Sequence, residues 1–331
     1  MKSRLIFLFL SLAVLSGCAG HGAGKATEAD VEPVSVKADR MIVGHIITMD
    51  ENKPLAEAMT VKDGIIQYVG SRRVAETMSD ANTVVMDYGD NYIYPGFLES
   101  HAHGAAAGFR MAGQADLGPC NTIEECVAVM KAWIDEHPDK DVYLGCGWKP
   151  WIISEPDAAS LDAICPDKPM ALNSVDGHSM WVNSAMMKLA GIDKEYAKKM
   201  GAAQVHADAD GNPSGLLTES AGTSIMKCIV STVDDYKEYV LAWQDFAFAH
   251  GYTAATEAGV ELASKVAPQA YAELASEGRL KLRTYAYHLV SDDSVTPEED
   301  AAEAVRMADE LNSEYFRIVG LKIFFLVHLV A

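Results

Sequence analysis

"YPGFLESHAHG", residues 94–104, carries two histidines one residue apart behind a Pro-Gly step and an apolar pair. Ile93 to Leu98 has the pattern of a buried strand, and residues at i and i+2 of a strand share a face. His101 and His103 therefore point the same way. Two imidazoles so placed suit zinc, iron or nickel. A pair of hydrogen-bonded structural histidines gives the same pattern. At the C-terminal end of a parallel strand that face opens on the mouth of a barrel, where catalytic groups sit.

Upstream, residues 38–92 read as short strands broken by turns. "MIVGHIITMD" (41–50) is apolar to its last residue, and "AMTVKDGIIQYVG" (58–70) holds an Asp-Gly turn between two strand-like pieces. This block predicts a small sheet of its own. Downstream the period changes. "TIEECVAVMKAWIDEH" (122–137) has helical spacing, with Thr122 and Glu125 as a capping box. "DVYLGCGW" (141–148) and "KPMALNSVDGH" (168–178) read as strands, "VNSAMMKLAG" (182–191) as a helix ended by Gly191, and "GNPSGLLTES" (211–220) as a turn before an apolar run. Helical patterns at 233–250, 262–277 and 297–312 then alternate with strand patterns in "GYTAATEAG" (251–259), "KLRTYAYHLV" (281–290) and "FRIVGLKIFF" (316–325). Such alternation predicts a parallel sheet with crossover helices, hence an α/β barrel or a doubly wound fold.

The 331 residues, 49% of them hydrophobic, suffice for a large core or for one domain and a smaller one. With 27 Lys and Arg against 47 Asp and Glu, a net charge of −20 argues against a nucleic-acid partner. At the N-terminus, Lys2 and Arg4 precede an apolar run from Leu5 to Leu15 and then "LSGC", Leu15 to Cys18. This resembles a bacterial lipoprotein signal with its cleavage box, residues 1–18. The resemblance implies lipidation of Cys18, a flexible tether over 19–37, and an exported protein anchored to the cell or outer membrane, facing periplasm or exterior. Cys120, Cys126, Cys146, Cys165 and Cys228 are odd in number and lack a C-x-x-C pair, so free thiols are expected; spacing gives a Cys120–Cys126 disulfide no support.

"PGFLESHAHG" after a β-rich block looks like the opening of the metal-dependent amidohydrolase superfamily. "LGCGW" (144–148), "DGHSMWVNSAMM" (176–187), "GNPSGLLTE" (211–219), "HGYTAATEAG" (250–259) and "GLKIFF" (320–325) follow in order and resemble its amidohydrolase family 3 branch. The likeness runs from about residue 38 to residue 325. It implies a β composite domain over 38–92, then a partial TIM barrel over 93–331 with about strands one to four and an insertion at about 104–250. It also implies His101 and His103 as metal ligands and Lys322, at the fourth strand, as a lysine that relatives carboxylate. The expected cofactor is a divalent metal, zinc by preference, one or two ions per site. The implied reaction is hydrolysis of a non-peptide carbon–nitrogen bond, as in small N-acyl or N-formyl amides, by metal-bound hydroxide.

Within the insertion, His178 is read as a contact for substrate or a developing oxyanion, with Asp176 beside it. The alternative is that "DGH" shapes a turn while Asn183 caps the next helix. Trp148 and Trp181 line an acyl pocket or pack the insertion. Glu219 and Glu257 are weaker candidates for the site.

In the family, two further histidines from the fifth and sixth strands and an aspartate from the eighth complete the centre. His328 lies six residues beyond Lys322, too near for the crossover of at least ~10 residues that a fifth strand requires. The expectation is a C-terminally truncated relative, weakly active or inactive alone, with exposed sheet edges. Two other readings stay open: a lipid-anchored, non-catalytic binding protein derived from the hydrolase fold, and a chain that oligomerises or is complemented by a C-terminal fragment.

Overall fold

A computed structural model describes residues 36–262, 264–290 and 296–323. Cys18, the signal segment, nearly all of the 19–37 tether and His328 lie outside the described residues. The chain is a mixed α/β protein that divides into two compact units, Met1–Pro95 and Gly96–Ala331.

In the first unit, β1 (Arg40–Ile47), β2 (Leu55–Lys62) and β3 (Ile65–Gly70) are followed by helix α1 (Arg72–Thr77) and β4 (Val84–Ile93), in a sheet of order β3-β2-β1-β4. β2 pairs antiparallel with β3 from Lys62↔Ile65, so Asp63 and Gly64 alone make the turn. Both have positive φ (50° and 78°), the geometry a two-residue hairpin requires and the reason for its Asp-Gly sequence. A small core of Met41, Val43, Ala58 and Ala75 closes one face.

The second unit begins with β5 (Phe97–Ala102), α2 (Gly104–Ala112), β6 (Ala115–Asp116), α3 (Ile123–Glu136) and β7 (Tyr143–Trp148). Next come α4 (Ala158–Asp162), β8 (Met170–Ser174), β9 (Ser179–Val182), α5 (Ser184–Ala190), α6 (Lys194–Met200), β10 (Val205–Ala207), β11 (Pro213–Thr218) and α7 (Glu219–Ile225). It ends with α8 (Val233–Ala249), β12 (Tyr252–Ala258), α9 (Ala267–Ser276), β13 (Arg283–Leu289), α10 (Pro297–Leu311) and β14 (Phe316–Lys322). These strands form two sheets. One has order β14-β13-β12-β5 and is parallel throughout. It joins the opening strand to the three alternating segments near the C-terminus, across the intervening stretch from α2 to α8.

That intervening stretch builds the second sheet, of order β10-β11-β9-β8-β7-β6. Every residue of β7 is buried, because the sheet has a core on both faces: Leu117, Met130, Trp148, Leu172 and Trp181 on one, Leu144, Ala171, Met180, Val182 and Leu217 on the other. The short antiparallel strand β9, "SMWV", has no counterpart among the strands read from sequence; four residues, three of them apolar and buried, are too few to show a period. Helix α3 starts as expected at Thr122, whose hydroxyl accepts from the Glu125 N–H (3.2 Å). Its capping box is only half formed. Glu125 accepts from the Asn121 N–H (2.7 Å) instead of that of Thr122. Reciprocal boxes do close at Thr232/Asp235 and Thr296/Glu299, starting α8 and α10.

Candidate metal and substrate centre

Parallel strands end together, so the C-terminal ends of β5, β12, β13 and β14 form one rim of their sheet. His101 lies in β5, and His103, just past its end, is the N-cap residue of α2. The Glu99 carboxylate accepts the His101 N–H (3.0 Å) and stiffens this strand end. The imidazoles of His101 and His103 lie 5.3 Å apart, centroid to centroid, with planes at 89°. They share a face, as the i, i+2 spacing requires.

Lys322 is the last residue of β14 and stands opposite Leu289 at the end of β13, on the same rim. Burial first, then the charges of His101 and Lys322, lower the pKa of the His103 imidazole from its ordinary value. A neutral imidazole keeps a lone pair, the form a metal needs. Among the described residues no group of three His, Cys, Asp or Glu side chains is placed to hold an ion. The geometry therefore offers two imidazoles and a nearby amine.

Glu257, near the end of β12, is 2% exposed. One carboxylate oxygen accepts the Ala105 N–H (3.0 Å) and the Tyr271 hydroxyl (3.0 Å), and the Gly104 N–H also reaches this side chain. Those amides open α2 and have no partner within the helix. Glu257 thus anchors the helix that begins at His103. Burial raises its carboxyl to about 7, against the pull of the same hydrogen bonds. From sequence Glu257 is only a weak candidate, because its partners come from 152 residues earlier and 14 later.

Asp176 and His178 sit in the turn between β8 and β9 of the six-stranded sheet. The Asp176 carboxylate accepts from the Ser174 hydroxyl (2.6 Å) and the His178 N–H (3.1 Å), bonds that lower its pKa. This is a turn-shaping role. Asn183 is buried: its oxygen accepts from the N–H groups of Met186 and Met170 (both 2.9 Å), and its amide donates to Cys165 and Lys168 carbonyls. The His178 ring is exposed, 3.4 Å from Glu219 Oε1, beside a shallow cleft of about 240 Å³. Glu219 has φ 51°, an uncommon conformation for a residue with a Cβ. Trp148 and Trp181 are both fully buried, edge to face at 6.3 Å, and donate to the carbonyls of Leu172 and Asp157. They pack the core on one face of the six-stranded sheet. Cys120, Cys126, Cys146, Cys165 and Cys228 are free thiols, and burial pushes Cys126 up to about 12.

Comparison with known proteins gives the context for these residues. The model of the amidohydrolase family matches residues 84–329. The exoenzymes regulatory protein AepA of Pectobacterium carotovorum subsp. carotovorum is 28% identical over 245 residues, covering 72% of this chain and 52% of that one. An N-substituted formamide deformylase of Arthrobacter pascens is 26% identical over 205 residues, covering 60% of this chain and 37% of the relative. The chain thus spans about half or less of the length of these relatives. A crystal structure of an uncharacterized metal-dependent hydrolase from Pyrococcus horikoshii OT3 superposes with a TM-score of 0.65 at 21% identity, over 85% of this chain and 53% of the other, which shows a shared fold. With a family model matched along most of its length, this chain belongs to the amidohydrolase family.

Proposed function

We propose that the rim formed by β5, β12, β13 and β14 is part of a metal-dependent hydrolase centre, and that the four strands begin a TIM-like barrel. The observation that carries this is the pair of perpendicular imidazoles on one face, with Lys322 at the same rim and His103 depressed toward its neutral form. His101 and His103 fit a divalent metal of the zinc class as two of its ligands. Lys322 completes the set if carboxylated. Such a metal, when bound, supplies a Lewis acid and acidifies water.

The chain's own residues do the rest. Glu99 holds the His101 backbone, and Glu257 fixes the start of α2, so that both rings are oriented before any ligand arrives. The substrate class we propose is a small amide with a non-peptide carbon–nitrogen bond, N-acyl or N-formyl. It is supported by family membership and by the relative named a formamide deformylase. His178, exposed beside its cleft, is the group in the insertion available to contact substrate.

Zinc uptake by equilibrium dialysis tests the centre. We expect uptake that drops in His101→Ala and His103→Ala, and hydrolysis of an N-formyl amine by the zinc-loaded protein that His103→Ala abolishes. Uptake unchanged in both variants would sink the reading. Uptake without turnover favours instead a binding protein on the same fold. We also propose a lipid anchor at Cys18. Among the described residues no helix is long and apolar enough to cross a membrane. Membrane fractionation that Cys18→Ser leaves unchanged would refute the anchor.

A further inference from the structure

Behind the parallel sheet, away from the H-x-H pair in sequence, three ionisable side chains meet at the end of β13. His288 and Asp300 are 8% and 4% exposed. His288 Nδ1 lies 2.7 Å from Glu261 Oε1, and the second Glu261 oxygen accepts the Leu289 N–H (2.8 Å). Both Glu261 oxygens are therefore engaged, and in the tautomer that donates from Nδ1 to Glu261 the ring keeps the Nε2 lone pair on its opposite side. Among the described residues that Nε2 has no hydrogen-bond partner, and neither has Asp300 Oδ2. Both residues line a cleft of about 830 Å³, together with Glu299, Glu303 and Arg306.

The separation between the imidazole and the carboxylate, taken from Nε2 to the other Asp300 oxygen, bears on what could join them. Nε2 stands 3.7 Å from Asp300 Oδ1. An imidazolium would draw the carboxylate to about 2.8 Å, and a bridging water would hold the two atoms about 4.5 Å apart. A single ion with bonds of about 2.1 Å to each spans 3.7 Å at an angle of about 120°, within reach of tetrahedral coordination. A carboxylate–histidine pair that fixes the tautomer is the usual support for such a ligand.

We propose that His288 Nε2 and the Asp300 carboxylate form a second divalent-metal site, for an ion that accepts mixed nitrogen and oxygen ligands such as zinc, cobalt or manganese. Water from the cleft fills the remaining positions, since Glu303, one helical turn beyond Asp300, gives both its oxygens to Arg306. The site owes nothing to the H-x-H centre.

The test uses the full chain, loaded with zinc or cobalt(II) by dialysis and counted by elemental analysis. Asp300→Asn, an isosteric change, and His288→Gln are each expected to lose one equivalent and to keep whatever His101 and His103 bind. Glu261→Gln is expected to weaken the same equivalent about 10- to 100-fold. Should the H-x-H reading fail, His101→Ala loses nothing while His288→Gln still loses its equivalent, so the two proposals fail separately. An unchanged count in both Asp300→Asn and His288→Gln overturns the site. So does a nitrogen NMR resonance of His288 Nε2 in the parent that does not move under saturating zinc, a measurement that needs no variant to fold.

Discussion

Glu257 is a carboxyl taken out of water and given two backbone donors and a hydroxyl in return. Burial outweighs those bonds and raises its pKa to about 7. The sign of the linkage follows. The folded chain holds this proton up to pH about 7, whereas the unfolded chain releases it near the ordinary value of 4.5, so the group's stabilising contribution is full below about 4.5 and is lost as pH rises through 7. Glu257→Gln fixes the neutral form. Its stability relative to the parent is expected to improve by on the order of 3 kcal/mol between pH 4.5 and pH 8, at about 1.4 kcal/mol per pKa unit. Denaturant midpoints across that range check it; a difference independent of pH would count against it. Glu257→Ala removes the acceptor as well, leaves the first amides of α2 without a partner, and is expected to cost about 1–3 kcal/mol. It also frees His103, so zinc affinity at the rim is expected to fall in Glu257→Ala and to hold in Glu257→Gln.

At the scale of elements, α2 matters because it starts at His103. It lies against α8 with no room for a side chain at Gly104 or Gly108. A Cβ on Gly108 would stand 1.9 Å from the Tyr239 carbonyl oxygen, and one on Gly104 would stand 2.4 Å from Trp243 Nε1. The four-residue spacing puts both glycines on one face of the helix. Gly108→Val is expected to push α2 off α8 at a cost of at least about 1–3 kcal/mol, and to weaken zinc binding with it. Thermal denaturation and dialysis read the two effects. The same substitution at Gly64, whose Cβ would meet nothing within 4 Å, leaves zinc binding intact and acts only through its positive φ. Helix starts were legible in sequence where a Ser or Thr precedes acidic residues. The partner of Glu125 was not, because Thr122 and Asn121 compete for one carboxylate and only the local backbone path decides.

For the whole molecule, the sheet that carries the histidines leaves apolar surface uncovered. Phe97 and Leu98 on β5 are 51% and 56% exposed, and Val319 on β14 is 48% exposed. Edge strands with such residues template association. The isolated chain is expected to bind a hydrophobic dye and to self-associate with rising concentration. A charge at this edge, Leu98→Lys, is expected to suppress both without touching the metal sites. Light scattering of parent and variant decides; equal association in the two places the sticky surface elsewhere.

The sequence by itself determined the family and much of the local pattern: most strand and helix periods, the Asp63-Gly64 hairpin, and the H-x-H pair whose shared face follows from the two-residue repeat of a strand. It did not determine the buried strand read over residues 93–98, where β4 ends at Ile93 and β5 opens at exposed Phe97 and Leu98. Tertiary structure alone decided which distant groups meet. Asp176 and Asn183 make the turn and cap that their residue types allow from sequence, but only the fold adds to Asn183 its bonds with Cys165, Lys168 and Met170. Glu257 reaches α2, and His288 meets Glu261 and Asp300, only because parallel strands bring segments far apart in sequence to one end of a sheet. Periodicity fixes which way a side chain points along its own strand. The distance to its partner is set by packing between strands and helices, which no local pattern encodes.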